Sequence, residues 1–319
     1  MSTPPSPRSV SSQSSEVTVV ANDIRSLCRD VREREMLRRH VSFRIGGPAD
    51  VLVLPRSVDE LRTAVSWLFS HDVPFTILGQ GSNVLIADAG IRGIVIKIGK
   101  GLDRFSFEKT RLVAEAGVGL PHLARAAATK GLAGLEFAAG IPASLGGAVV
   151  MNAGAHGHAM SEVVREVRVL TPDGEQILGP PDLGFGYRTT VLQQRRAVVL
   201  EATVELTQSD PVSVRGRTDE WLQHRSDTQP IGPPSSGCIF RNPQGDHAGR
   251  LIDLAGAKGL ALGGARVSEV HANYILNTGE ATAADVLGLI HKVSGVVAEK
   301  FGVRLEPEIK LLGEFSQAN

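Results

Sequence analysis

Three segments of the sequence place glycines where the backbone could come close to another group. They are residues 43–47 (FRIGG), 78–83 (LGQGSN) and 139–147 (AGIPASLGG). Backbone amides in such loops can cradle a phosphate. None shows the GxGxxG or GxxxxGK[ST] spacing in its required context, so neither a Rossmann nor a P-loop site is predicted. Taken singly, each loop is more typical of an ordinary tight turn than of a phosphate site, because glycine is the default turn residue.

The cysteines and histidines do not indicate a metal centre. Cys28 and Cys238 are the only cysteines and lie far apart, which gives neither a disulfide framework nor the paired spacing of a zinc or iron–sulfur site. His156 and His158 flank a glycine, but no third or fourth ligand follows at a familiar spacing. We therefore expect no metal, a solvated loop at 156–158, and a reducing compartment.

The elements that must position these loops are short strands and helices. Ser57 to Glu60 has capping-box spacing at the start of a helix, and Gly131 and Gly302 end two further helices, at 120–130 and 283–300. Two shorter helices are predicted at 214–225 and 249–255. Strands are predicted at 51–55, 75–78, 84–87, 94–98, 111–115, 163–170, 175–178 and 197–206.

The pattern predicts an α+β protein with three folded parts. We expect a disordered Ser/Pro-rich tail over residues 1–23, because such a segment buries too little apolar surface to offset ordering. Two subdomains at 24–98 and 99–208 follow. Composition changes near 208–212, which predicts a last domain at 211–313.

Composition bounds the class of protein. The 319 residues are 42% hydrophobic, and 34 basic residues balance 34 acidic ones, so no overall field would attract nucleic acid. No apolar stretch approaches the roughly 20 residues that cross a bilayer, and the N-terminus lacks a signal-peptide pattern. We expect a cytoplasmic protein that binds neither nucleic acid nor membrane.

Taken together and in order, the motifs resemble the UDP-N-acetylenolpyruvoylglucosamine reductases (MurB), within the vanillyl-alcohol-oxidase-like flavoprotein superfamily. The glycine segments and the run GLEFAAGIPASLGGAVVMNAGAHG at 134–157 look like the family's FAD-binding segments. Downstream, FGYR (185–188), TQP (228–230), SGCIFRNP (236–243), residues 248–277 and LEPE (305–308) are similar to its substrate-domain motifs. The resemblance covers about nine-tenths of the chain and fits the shorter of two subtypes.

This resemblance implies a two-subdomain FAD-binding (PCMH-type) fold followed by a substrate-binding domain. It implies bound FAD, NADPH as co-substrate, and reduction of an enolpyruvyl nucleotide sugar to UDP-N-acetylmuramate for peptidoglycan synthesis, by a protein we expect to be a monomer. The residues carried over to FAD are Arg44, Ile45, Gly46, Gly47, Gly79, Gln80, Gly81, Ser82, Asn83, Gly140, Ile141, Pro142, Ser144, Gly146, Gly147, Asn152, Gly154 and Ala155. Gln80 departs from the family's usual glycine.

Three residues match the family's catalytic positions. Arg188 would stabilise the negative charge that grows beside the substrate carboxylate, because a guanidinium is permanently cationic and forked. Cys238 stands where most members carry serine, and as a mostly protonated thiol it would donate the proton. Glu308 matches the carboxylate that polarises substrate or orients water. Strand alternation would put Glu306 on the same face, so only the family motif selects Glu308.

Six residues are weaker predictions for binding the nucleotide sugar. They offer hydrogen-bond donors or an aromatic ring near the motifs: Tyr187, Arg225, Gln229, Arg241, Asn242 and Lys258. Tyr274 also falls in a motif, where it would serve ligand or core. The role of His271 is open.

Two other functions compete with the reductase. A flavin oxidase of the same superfamily would use oxygen and would lack the ordered Arg188, Cys238 and Glu308. A noncatalytic nucleotide-sugar sensor would keep the pocket without turnover.

Overall fold

The structure is a computed structural model and describes residues 10–315. Its helices are α1 Val10–Leu27, α2 Val58–Ser70, α3 Leu120–Thr129, α4 Leu145–Val150, α5 Pro180–Leu183, α6 Pro211–Thr228, α7 Ala248–Leu254 and α8 Ala283–Phe301. Its strands are β1 Val31–Met36, β2 Pro48–Val53, β3 Phe75–Leu78, β4 Val84–Ile86, β5 Ile91–Lys97, β6 Phe105–Glu108, β7 Arg111–Glu115, β8 Leu132–Ala133, β9 Gly154–Ala155, β10 His158–Ala159, β11 Val164–Thr171, β12 Gly174–Leu178, β13 Val198–Glu205, β14 Thr207–Gln208, β15 Ala261–Leu262, β16 Ala265–Val267, β17 Ile275–Asn277 and β18 Lys310–Leu312.

A four-stranded sheet in the order β1-β2-β5-β3 forms the first subdomain. Strands β2, β5 and β3 are parallel, so their carboxyl ends meet at one edge. Helix α2 connects β2 to β3 and begins as predicted, with the Ser57 hydroxyl accepting from the Glu60 amide at 3.1 Å. That edge leads directly into the loop at 79–83.

A five-stranded antiparallel sheet in the order β12-β11-β13-β7-β6 forms the second subdomain. Its buried face packs on α3 and α4 and also joins the first subdomain's core, since Val51 and Ile94 share one apolar cluster with Leu112 and Val167. The two subdomains are therefore separate sheets around a common hydrophobic core.

The last part of the chain has its own core between α7, α8 and the β15-β16-β17 sheet. Leu251, Val286 and Ile290 line it, and Phe43 and Leu85 from the first subdomain enter it. Helix α8 lies where the sequence predicted it and ends at Gly302, whose φ of 67° is the left-handed value glycine favours.

Two contacts fasten this part to the first subdomain. Strand β18 pairs with β4 in parallel, and the Asp88 carboxylate accepts from the amides of Ala283 at 2.8 Å and Ala284 at 3.1 Å, at the start of α8. A carboxylate is favourable at a helix N-terminus because it satisfies free amides there.

The structure corrects two predicted boundaries. The predicted tail at 1–23 is wrong from residue 10 onward, because α1 spans that stretch and buries Ala21 and Ile24 against the core. Residues 1–9 lie outside the described part. Helix α6, assigned by sequence to the domain at 211–313, packs through Trp221 and Leu222 on the core of the second subdomain. Among residues 10–315, no helix is long and apolar enough to cross a membrane.

Candidate active site

Three segments from the first and last folded parts converge on one place. The Glu308 amide donates to the Ile239 carbonyl at 2.7 Å, and the Asn83 side chain donates to the Glu308 carbonyl at 3.4 Å. The Lys310 amide completes the junction by donating to the Asn83 carbonyl at 3.0 Å. The glycine loop at 79–83 therefore abuts the segments that carry Cys238 and Glu308.

Arg188 is presented by a tight turn at residues 186–189. Reciprocal hydrogen bonds of 3.0 and 3.2 Å between Gly186 and Thr189 close the turn. Arg188 itself takes a φ of 57°, a conformation that costs a non-glycine residue free energy and is common where function fixes the backbone. Asn152 supports the turn by donating to the Gly186 carbonyl at 2.9 Å. The amide side chain of this predicted FAD residue is therefore engaged within the protein.

The Arg188 guanidinium forms an ion pair with Glu308. Its Nε lies 2.9 Å from Oε1, with the side chains 25% and 12% exposed, so the pair is largely shielded from bulk solvent. Burial raises the pKa of Glu308, while Arg188 and Arg241 act in the opposite direction. Arg188 thus keeps further N–H donors for an anion while one carboxylate fixes its orientation.

Glu306 and Glu308 differ in their surroundings. An antiparallel bridge between Phe240 and Pro307 keeps this segment extended, so the expectation that both carboxylates share a face stays a prediction, and β18 begins only at Lys310. Glu306 is exposed and lines a separate cavity of about 470 Å³ beside His291 and Arg304. The structure therefore separates the two carboxylates that spacing alone left equivalent.

Cys238 lies directly opposite Tyr274 in an antiparallel bridge. Burial, with a smaller contribution from Glu308, raises the pKa of the thiol to about 11, although Arg188, Tyr274 and Arg225 act in the opposite direction. At neutral pH the sulfur is therefore a thiol that holds its proton, within the same electrostatic environment as Arg188 and Glu308.

Asn273 frames this arrangement, and sequence reasoning missed it. Its buried side chain accepts from the Phe240 amide at 2.9 Å and donates to the Phe240 carbonyl at 2.8 Å. Its own carbonyl accepts from Ile239. The only available signal was its place inside the motif at 248–277, which does not distinguish a framing residue from a ligand-binding one.

Five of the six predicted sugar-binding residues surround the cluster. The Tyr187 hydroxyl accepts from the Asn242 amide at 3.5 Å, and Arg225 donates to the Gly140 carbonyl. Gln229 accepts from the Tyr274 hydroxyl at 2.8 Å, and the charge of Arg241 lowers the pKa of Glu308 against the effect of burial. Lys258 differs, because it pairs with Asp253 at 2.8 Å and its charge contributes to lowering the pKa of His271. Its predicted role in sugar binding therefore stays a prediction.

The loops predicted for FAD pack against one another around a buried hydroxyl. A Cβ at Gly79 would lie 2.7 Å from Ser144 Oγ, and one at Gly147 would lie 3.3 Å from the same oxygen. Ser144 is buried, yet its hydroxyl has no hydrogen-bond partner among the described residues. A buried polar group without a partner is costly, so a cradle with this vacant hydrogen-bonding capacity fits an oxygen-rich cofactor.

Other predicted FAD glycines serve close packing of the protein itself. A Cβ at Gly47 would meet the Asp88 carbonyl at 2.1 Å, and one at Gly154 would meet the His158 carbonyl at 2.3 Å. Arg44 lines an open cavity of about 450 Å³ with Arg38 and Arg39. The remaining predicted FAD residues, namely Ile45, Gly46, Gln80, Gly81, Ser82, Gly140, Ile141, Pro142, Gly146 and Ala155, lie in these loops and stay predictions.

Lys97, which the sequence analysis did not select, fastens two of these loops together. Its Nζ donates to the His40 carbonyl at 3.1 Å and to the Gly79 carbonyl at 2.8 Å. No carboxylate pairs with it among residues 10–315, and burial lowers the pKa of the ammonium to about 8. A buried cation beside a glycine loop is a favourable neighbour for a phosphate.

The loop at 156–158 packs on α6. The His156 ring stacks on Trp221 with centroids 4.9 Å apart and an interplanar angle of 7°. Although the loop is exposed, His156 makes this specific contact, and none of the described residues forms a metal-binding group with it.

Comparisons with protein families match two parts of the chain. A family model described as "FAD binding domain" matches residues 49–178, and the model for the C-terminal domain of UDP-N-acetylenolpyruvoylglucosamine reductase matches residues 229–312. Fold and matches together define an FAD-dependent oxidoreductase with the predicted α+β architecture.

Individual relatives agree over most of the chain. UDP-N-acetylenolpyruvoylglucosamine reductases of Bacillus velezensis and Caldanaerobacter subterraneus are 45% and 46% identical, covering 89% and 88% of this chain and 94% and 93% of theirs. The crystal structure of MurB from Thermus caldophilus is 35% identical with a TM-score of 0.78, covering 89% of this chain and all of that one. The chain belongs to the UDP-N-acetylenolpyruvoylglucosamine reductase family, and the predicted resemblance is confirmed.

Proposed function

We propose that this chain catalyses NADPH-dependent reduction of UDP-N-acetylenolpyruvoylglucosamine to UDP-N-acetylmuramate, with Arg188, Cys238 and Glu308 as its catalytic residues. The observation that carries the residue assignment is their convergence: three residues far apart in sequence form one partly buried cluster. An oxidase has no need of this juxtaposition, and the intact set of three residues argues against a sensor that has lost turnover.

The loops at 79–83 and 140–147 would hold FAD. Ser144 Oγ offers a free hydrogen-bonding group there, and Lys97 fixes the first loop and supplies positive charge beside it. When bound, FAD supplies the hydride, which comes from NADPH and is added to the terminal carbon of the enolpyruvyl group.

Arg188 would bind the substrate carboxylate. As the terminal carbon gains hydride, negative charge accumulates on the adjacent carbon and its carboxylate, and a preoriented guanidinium lowers the free energy of that charge. Glu308 holds the Arg188 side chain from the other side at 2.9 Å. The pair therefore fixes a cation where charge develops, without reorganisation during the reaction.

Cys238 would deliver the proton. Its Sγ–H bond breaks as a C–H bond forms at the carbon next to the carboxylate, and the thiolate that remains takes a proton from water. Burial keeps the thiol protonated at neutral pH, which a general acid requires before transfer.

We also propose that the protein acts in the cytoplasm as a monomer. The proposed site is complete within one chain, since all three proposed catalytic residues and the glycine loops come from the same molecule. The absence of a membrane-crossing helix in the described part is compatible with this proposal.

Rapid-mixing experiments on Cys238 variants test the assignment. With Cys238→Ala, NADPH should bleach the flavin at the wild-type rate, whereas reoxidation by the enolpyruvyl substrate should slow by about 10²–10⁴-fold, as for loss of a general acid. Cys238→Ser should retain most turnover and serves as the matched control. Rapid reoxidation of the alanine variant would remove Cys238 from the role, and a purified protein without flavin would contradict the function.

A further inference from the structure

Tyr274 faces Cys238 across the strand pairing. Residues directly opposite in an antiparallel pair project to the same face with closely spaced side chains. The adjoining bond from the Ile239 amide to the Asn273 carbonyl, 2.8 Å long, fixes the register. The Cys238 thiol and the Tyr274 hydroxyl are accordingly neighbours, and each affects the pKa of the other.

The Tyr274 hydroxyl has a second, well-defined partner. It donates to Gln229 Oε1 at 2.8 Å, and Gln229 is itself anchored at the end of α6 by a 2.9 Å bond from its amide to the Arg225 carbonyl. A phenol has only one hydrogen. While that hydrogen points to Gln229, the oxygen can only accept from the thiol, which orders a chain from Cys238 through Tyr274 to Gln229.

Proton transfer reverses the hydrogen-bonding role of the Cys238 sulfur. Before transfer the thiol is a hydrogen-bond donor, and afterwards the thiolate is an anion that requires a donor. The Tyr274 hydroxyl can meet both needs by rotating about its C–O bond. Burial raises the pKa of Tyr274, so the phenol keeps its own proton throughout. Phenylalanine would fill the same core space, so packing alone does not require the hydroxyl.

We propose that Tyr274, held by Gln229, is the positioning residue for the Cys238 thiol: its hydroxyl aligns Sγ before proton transfer and then donates a hydrogen bond to the thiolate. This inference rests on the proposed role of Cys238. Arg188 and Arg225 also stabilise the thiolate, Glu308 opposes it, and the His271 ring packs 5.1 Å from that of Tyr274.

Alkylation of Cys238 in the FAD-loaded enzyme tests the contact without turnover. Iodoacetamide is applied between pH 7 and 10, and peptide mass mapping separates Cys238 from the buried Cys28. Tyr274→Phe should slow alkylation of Cys238 about tenfold at pH 9, because the thiolate loses a hydrogen bond to a charged group. Gln229→Met, which leaves the ring and the thiol intact, should alter the rate through the freed hydroxyl.

Rapid mixing tests the catalytic consequence. Tyr274→Phe should leave flavin reduction by NADPH unchanged and slow substrate reduction about tenfold, with the alkaline limb of that step displaced. Wild-type alkylation in Tyr274→Phe, or slowed alkylation with an unchanged rate of substrate reduction, overturns the proposal. Failure of the proposed function would show elsewhere, as rapid substrate reduction by Cys238→Ala.

Discussion

Replacing Lys97 by Met should change how the stability of the protein depends on pH. Its ammonium is buried without a carboxylate partner among the described residues, and its pKa is held at about 8 instead of the usual 10.5. Below pH 8 both folded and unfolded chains carry this proton, and the folded state bears the full cost of burying the charge. Between pH 8 and 10.5 the unfolded state binds more protons, so stability must rise with pH.

The size of the rise follows from the same pKa values. A change from 10.5 to about 8 corresponds to at most about 3.5 kcal/mol in the free energy of unfolding, since each pH unit is worth about 1.4 kcal/mol. Lys97→Met should abolish this contribution and stabilise the FAD-free protein at pH 7. Bound FAD supplies phosphate charge that favours the protonated lysine, so wild-type affinity for FAD should fall above pH 8 and the variant should bind FAD more weakly at pH 7.

Urea denaturation of FAD-free protein at pH 7, 8, 9 and 10 measures the effect, with fluorescence titration of FAD at each pH. Lys100→Met, which removes an exposed lysine from the same segment, is the matched control. Subtracting the variant's free energy from that of the wild type isolates Lys97 from other groups that titrate at high pH. Parallel stability curves for wild type and Lys97→Met would refute the reasoning, as would equal FAD affinity at pH 7.

Two further substitutions test the cradle and the frame of the site. Gly79→Ala places a Cβ 2.7 Å from Ser144 Oγ and should lower the affinity for FAD about tenfold, as measured by flavin titration. The control, Gly99→Ala, has no atom within 4 Å of its new methyl group and should retain FAD. Asn273→Ala leaves the amide and carbonyl of Phe240 without their side-chain partners. It should lower the free energy of unfolding, measured in urea, by about 2–4 kcal/mol, whereas the control Asn22→Ala, at an exposed position, should lower it by less than about 0.5 kcal/mol. Full FAD retention by Gly79→Ala, or an unchanged urea midpoint for Asn273→Ala, would contradict these contacts.

Local patterns predicted those elements whose ends carry a physical signal. Ser57 caps α2 and Gly302 ends α8 because side-chain capping and the left-handed conformation are properties of individual residues. Helix α1 was missed because its first turns are polar and rich in serine, while its burial depends on contacts such as Ile24 with the distant core. Tertiary burial of this kind leaves little trace in composition.

The candidate site, like the fold, was predicted only in part from the sequence. Motif order selected Arg188, Cys238 and Glu308, but their convergence depends on three chain regions that spacing cannot bring together. Strand periodicity could not separate Glu306 from Glu308, because their difference lies in contacts with other segments: Glu306 lines a cavity, whereas Glu308 pairs with Arg188. Lys97 gave no signal, since its importance lies in two carbonyls contributed by other segments.

The parallel pairing of β18 with β4 bears on how the molecule is completed during synthesis on the ribosome. Strand β4 emerges first, with the loops expected to receive FAD, whereas Glu308 and β18 emerge more than 200 residues later. A nascent or cleaved chain that lacks residues 306–312 therefore has neither the carboxylate that pairs with Arg188 nor the strand that docks the last domain. Under the proposed mechanism, reductive chemistry is thus withheld until the segment that carries Glu308 and β18 has been made.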